Sequence, residues 1–82
     1  MQSHLVKGAD RIELTIRSYT DRMGRTLKKK VLLQMHRYIE KDDKWTNKDF
    51  LCKSEAEALM EMREINQYWI EFHGYTYTVE ES

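Results

Sequence analysis

The chain of 82 residues contains no proline, three glycines and a single cysteine, Cys52. A lone cysteine cannot form a disulfide within the chain, and we therefore expect a reducing compartment, the cytoplasm. The glycines, at positions 8, 24 and 74, are too dispersed for a glycine-rich loop that cradles phosphate. No apolar run approaches the roughly 18 residues of a membrane span, and the N-terminus lacks an apolar signal-peptide core. These absences argue against secreted, membrane-spanning and nucleotide-binding classes.

Residues that carry catalytic chemistry are also sparse. The only conceivable nucleophile pair is Cys52 with His36, and we expect Cys52 to lie on the core side of a strand as a small hydrophobe. The histidines are scattered and no C-x-x-C exists, so we predict no metal and no cofactor. Three carboxylates have helical spacing, which is typical of a solvated acidic helix face: Glu57, Glu61 and Glu64. We predict that the protein is not an enzyme.

The balanced charge, with 14 basic and 14 acidic residues, hides an asymmetry. Residues 1–39 contain nine cations and three carboxylates, whereas residues 40–82 contain five cations and eleven carboxylates. The densest basic stretch is 17–30, where six cations are opposed only by Asp21. Such polarity bears on the choice of partner more than on the fold.

The apolar pattern predicts one domain over residues 1–82, with residues 1–9 as a loose leader. From Asp10 the chain alternates, so that Ile12, Leu14 and Ile16 share one face of a strand. Gly24 then suits the turn of a hairpin. Segments 45–53 and 75–79 can form two further strands. The strand at 45–53 can be short or lie at an edge of the sheet.

Residues 26–40 fit two patterns. In a strand, Val31, Leu33, Met35 and Ile39 lie on one face, whereas a helix would align Leu27, Val31, Met35 and Ile39. We predict the strand, because three successive lysines in a first helical turn would oppose the helix dipole.

A long helix is indicated from Ser54 to about His73. Ser54 and Glu57 form a capping box, and Gly74 suits the left-handed position that follows a helix. Five residues predict its core stripe: Ala58, Met62, Ile65, Trp69 and Phe72. The predicted fold class is α+β: a small two-layer sandwich with a mostly antiparallel sheet of 3–4 strands (β-β-β-α-β) and one long helix across it. Because this core is small, dimerisation through Met60, Tyr68 or a sheet edge is an alternative to a monomer.

The hairpin 17–30 is the strongest candidate for a contact surface. Its cations can meet nucleic acid or an acidic protein, and its tyrosines can stack on bases of a single strand. The same cations can instead protect an exposed sheet edge from aggregation. The predicted contact residues are Arg17, Tyr19, Arg22, Arg25, Lys28, Lys29, Lys30 and Tyr38.

Two stretches, 19–25 and 48–58, together about a fifth of the chain, resemble the small arm-binding N-terminal domain of tyrosine integrases. The resemblance lies in the basic turn and in the strand that runs through Lys53-Ser54-Glu55-Ala56 into a capped helix. It implies a three-stranded basic sheet that packs on a helix and lies against DNA. The present chain departs from that pattern in its longer middle strand and its acidic helix.

The first functional hypothesis is a non-enzymatic module that binds a larger protein or nucleoprotein as an adaptor or inhibitor. Phage and mobile-element accessory proteins, such as inhibitors of host defence nucleases, offer an analogy for so compact and charged a chain. The alternative is direct binding of DNA or RNA through the hairpin 17–30. A homodimeric structural component is the third hypothesis.

Overall fold

The computed structural model describes residues 1–20, 23–24 and 26–78, with the backbone alone for Thr20 and residues 26–29. The helix α1 spans Glu55–His73. The strands are β1 (Gln2–Lys7), β2 (Asp10–Thr20), β3 (Thr26–Ile39), β4 (Lys44–Cys52) and β5 (Thr76–Tyr77). A 3-10 turn at Glu40–Asp42 joins β3 to β4.

All described strands belong to one antiparallel sheet in the order β4-β3-β2-β1-β5. The predicted α+β class, with one helix across an antiparallel sheet, is confirmed, and the sheet has five strands where 3–4 were expected. Residues 26–39 form a strand, because β3 pairs along β2 from Arg11↔Tyr38 to Thr20↔Thr26. The hairpin carries a register shift between Ser18 and Thr20.

The prediction of a loose leader over residues 1–9 is wrong. Residues 2–7 form β1, whose six residues pair with β2 and whose Leu5 is 1% exposed. Gly8 has φ +61°, and Lys7 pairs with Asp10, so a two-residue turn closes the first hairpin. The signal in the sequence was weak because only one side chain of this segment, Leu5, is fully buried.

The helix begins and ends where the sequence predicted. The Ser54 side chain accepts a hydrogen bond from the backbone N–H of Glu57 at 3.1 Å, and Gly74 has φ +73° with its N–H bonded to the carbonyl of Trp69. The predicted core stripe is correct except for Phe72, which is 72% exposed. The buried line of the helix instead runs through Ala58, Met62 and Asn66. Phe72 therefore lies to one side of it.

Asn66 is the one polar residue in the buried core of the described chain, and its partner lies on β1. Its side-chain amide donates to Ser3 Oγ at 3.0 Å. We expect Asn66→Ala to lower the free energy of unfolding by about 1–3 kcal/mol. The substitution removes the hydrogen-bond partner of Ser3, and it removes most of a buried side chain from the core. Urea unfolding checks this, with the exposed neighbour Gln67→Ala as the control; equal midpoints for the two variants would contradict it.

Candidate binding surfaces

The helix covers one face of the sheet and leaves the other, which we call the open face, uncovered by any described element. The buried side chains Leu5, Ile12, Leu14 and Leu33 all point toward α1. By strand alternation and register, the open face carries these residues of the two central strands: Arg11, Glu13, Thr15 and Arg17 with Tyr38, His36, Gln34 and Leu32. It is a mixed surface of cations, aromatic rings and polar groups.

The predicted hairpin residues are only partly brought together. Arg17 and Lys30 are exposed on the open face, and Tyr19 is half-buried. Arg22 and Arg25 lie outside the described residues. Lys28 and Lys29 belong to β3, but their side chains also lie outside the description.

Tyr38 belongs to the opposite end of the hairpin. It lies eight residues along β3 from Lys30, a span of roughly 27 Å at the rise of an antiparallel strand. Its hydroxyl donates to Asp43 Oδ1 at 2.7 Å, and its ring centroid is 5.3 Å from that of Trp45. The hydrogen bond to Asp43, with burial and nearby carboxylates, raises the pKa of Tyr38. Tyr38 therefore belongs to a separate aromatic spot on the open face.

Two histidines share a cross-strand row on this face, His4↔Glu13↔His36↔Asn47. His36 Nδ1 lies 2.7 Å from Asn47 Oδ1, and His4 Nδ1 lies 3.8 Å from Glu13 Oε1. Within the described ranges, no group of three or more His, Cys, Asp or Glu side chains is placed to hold a metal ion.

A groove separates the helix from β4 on the other side of the sheet. Its main cavity, about 390 Å³, has an apolar floor and a polar rim. Lys48 lies on the strand side with its Nζ 5.1 Å from the Phe50 ring centroid, and Glu61 and Glu64 lie on the helix side. The floor and helix wall are formed by Met35, Phe50, Ile65, Tyr68 and Trp69.

A second cavity of about 270 Å³ continues the groove at its cationic end. Arg37 projects there from the helix-facing side of β3, opposite Thr46, with its guanidinium carbon 4.5 Å from the Trp69 ring centroid. Arg37 Nε is buried, and no described residue accepts a hydrogen bond from it. Neither Arg37 nor Lys48 forms an ion pair with a carboxylate in the described part of the chain.

Sequence reasoning missed Arg37. The alternation of β3 that places Val31, Leu33 and Met35 toward the helix also places residue 37 there. The signal in the sequence was an arginine at a position that the alternation directs toward the helix. Because Arg is rarely buried without a partner, such a residue indicates a site for an anion.

A ridge of large side chains borders the groove on the helix. The ridge consists of Met60, Tyr68 and Phe72, whose spacings of eight and four residues follow one i±4 row of the helix. Their exposed fractions are 62%, 49% and 72%. The predicted oligomer contacts Met60 and Tyr68 are thus exposed on a common row. The Tyr68 ring packs against both Trp69 and Phe72, which holds the C-terminal half of the ridge in place.

Cys52 is buried at the end of β4, as the sequence predicted. Burial, with the charges of Glu57 and Glu61, raises the pKa of its thiol. We expect iodoacetamide to alkylate native Cys52 far more slowly than N-acetylcysteine at pH 8, and the difference to vanish in urea. Mass spectrometry over time measures both rates. Equal rates for the native chain and the free thiol would contradict a buried, protonated side chain.

The comparisons with known proteins found no matching family model, no matching curated protein and no matching solved structure. The described residues contain no helix that is both long and apolar enough to span a membrane.

Proposed function

We propose that this chain is a non-enzymatic binding module that docks on a larger protein and acts as an adaptor or inhibitor of it. The observation that carries the proposal is the ridge of Met60, Tyr68 and Phe72 beside the groove. Large apolar side chains that are 49–72% exposed on one row of a helix mark an interaction surface. Aromatic anchors of this kind supply much of the binding energy in protein interfaces.

The charge distribution supports a directed approach of the partner. Helix α1 carries five carboxylates, at 55, 57, 61, 64 and 71, against the single cation Arg63. The open face instead carries Arg11, Arg17 and Lys30. A partner whose binding patch is apolar with a basic rim is therefore steered to the helix side.

The proposal is tested by capture with a matched pair of surface variants. The wild-type chain, Phe72→Ser and Tyr77→Ser are immobilised, exposed to an extract of the source cells, and the retained proteins are identified by mass spectrometry. Tyr77 is the control because it is 59% exposed but lies on β5, at the sheet edge opposite β4. We expect one protein that the wild type and Tyr77→Ser retain equally and that Phe72→Ser loses about tenfold or more. Equal retention by all three, or by none, would contradict the proposal.

A second copy of the chain is a distinct outcome of the same experiment. If the ridge pairs two copies, sedimentation velocity of the purified wild type will show a dimer, and Phe72→Ser will be monomeric. Such a result would contradict the proposal of an adaptor or inhibitor and support the hypothesis of a homodimeric structural component.

Direct nucleic-acid binding through the hairpin 17–30 is the second candidate. It is favoured by Arg17 and Lys30, which are exposed on the open face. This candidate predicts that a labelled single-stranded or duplex 20-mer binds at 50 mM salt and loses affinity steeply by 200 mM, as counterions are released. Charge reversal of Arg17 and Lys30 should abolish binding, whereas reversal of the helix cation Arg63 should not. No binding at 50 mM salt would eliminate the candidate.

A further inference from the structure

We infer that the groove between β4 and α1 binds an extended peptide segment of the partner, added as a strand to β4, with one acidic side chain that pairs with Arg37 and Lys48. The inference deepens the proposed function and rests on it, since it presumes a protein partner. It assigns a ligand class to the groove: an extended peptide in which an acidic residue lies two or four positions from an apolar residue.

The cationic end of the groove lacks a counter-charge within the described chain. Arg37 is held on the helix-facing side of a central strand and stacks on Trp69, and its buried Nε has no acceptor among the described residues. A buried polar group is normally satisfied, because an unpaired one loses its hydration without compensation. Lys48 lines the same cavity with Thr46 and Asn47. Two cations beside the Thr46 hydroxyl form a site suited to a carboxylate.

The other end of the groove suits an apolar side chain. Met35, Phe50 and Ile65 line it, and Lys48 joins it to the cationic end. The described residues thus place an apolar subsite level with Phe50 and an anion subsite level with Thr46 and Lys48. Along β4, the apolar subsite at Phe50 is two residues from Lys48 and four residues from Thr46.

Strand β4 provides the backbone partner for such a segment. It is the last strand of the sheet on this side, so its outer edge pairs with no described strand. An extended peptide can add to a free edge by main-chain hydrogen bonds, while alternate side chains enter pockets. From residue 46 to residue 50 the edge spans about 13 Å, which four or five peptide residues cover. An antiparallel segment would read apolar-x-acid or apolar-x-x-x-acid from N- to C-terminus.

Two other occupants fit the charges less well. A nucleic acid would bring many phosphates past Glu61 and Glu64, which line the helix side of the groove. If a second copy of the chain paired antiparallel through the centre of β4, Lys48 of one copy would lie opposite Lys48 of the other. Like charges in that position destabilise a strand pair. It would also leave Arg37 without a carboxylate.

The test is a selection of random nine-residue peptides, displayed between flexible linkers, on the immobilised wild-type chain. The most enriched peptide is then synthesised with a fluorophore, and its dissociation constant is measured by polarisation. The variants are Arg37→Gln, Lys48→Gln and the control Lys41→Gln, an exposed lysine of the 3-10 turn away from the groove. Lys48→Gln keeps the test decisive if Arg37→Gln fails to fold, because Lys48 is exposed.

We expect enrichment of Asp or Glu two or four residues after an apolar residue. Affinity should fall about tenfold or more in Arg37→Gln or Lys48→Gln, as when one partner of a close charge pair is removed, and stay unchanged in Lys41→Gln. The inference would be overturned if no peptide were enriched or if the enriched peptides lacked an acidic residue. It would also be overturned if neither Arg37→Gln nor Lys48→Gln changed the affinity, or if oligo(dT) displaced the peptide. If Phe72→Ser still abolishes capture of the partner in that case, the proposed function stands and only the groove assignment fails.

Discussion

Replacement of Leu33 by alanine is expected to lower the free energy of unfolding by about 2–5 kcal/mol. Leu33 is fully buried in β3, between Ile16 of β2 and Phe50 of β4, and it packs in the hydrophobic core that the described residues form. Truncation removes its apolar contacts and leaves a cavity that neighbours on paired strands cannot fill. Because the total stability of a domain is typically only about 5–15 kcal/mol, this loss is a large share.

The control for Leu33→Ala is Leu51→Ala, on the open face. Leu51 is 51% exposed, so the same chemical change should alter the free energy of unfolding by about 0.5 kcal/mol or less. Urea unfolding followed by circular dichroism measures both variants. A smaller loss for Leu33 than for Leu51 would mean that the helix covers the opposite face of the sheet.

Leu5→Ala should be nearly as damaging, at about 2–4 kcal/mol. Leu5 is 1% exposed on β1, between Ile12 of β2 and Tyr77 of β5. Its loss weakens the contact of β1 with the core and loosens the attachment of β5, which pairs with no other strand in the described chain.

The same variant decides whether the N-terminus is part of the domain. A loose leader over residues 1–9 would make Leu5→Ala silent, with a midpoint equal to that of Leu51→Ala. Residues 2–7 paired as a strand require a clear loss. A silent Leu5→Ala would therefore contradict the five-stranded sheet.

Local signals in the sequence predicted most of the fold. Strict alternation over Ile12, Leu14 and Ile16 identified β2 and its buried face, and the Ser54 cap with Gly74 identified both ends of the helix. Dipole reasoning about the successive lysines correctly favoured a strand for residues 26–39. Each of these features depends on chemistry within a few residues, which is why a single sequence contains it.

The features that the sequence did not predict depend on tertiary pairing. Strand β1 is recognisable only through its partner β2, since its own pattern holds a single fully buried side chain, Leu5. Asn66 interrupts the apolar stripe of the helix because Ser3, 63 residues away, supplies its hydrogen bond. Phe72 fits the apolar spacing but lies beside the buried line.

The candidate site was predicted in part. Exposure of Met60 and Tyr68 followed from their positions off the apolar stripe. The basic hairpin was read as one contact surface, yet the strand length places Tyr38 far from Lys30. The groove escaped prediction because it forms between two elements, and its cation Arg37 was identifiable only once the face of β3 was fixed.

Hydrogen–deuterium exchange of the chain, with and without the captured partner, tests most directly whether the groove side is the binding surface. Strand addition to β4 gives its outward amides new acceptors, so we predict slower exchange in residues 44–52 and 61–73 and little change in 11–17. Protection of 11–17 and 30–38 without protection of 44–52 would place the partner on the open face and contradict the account.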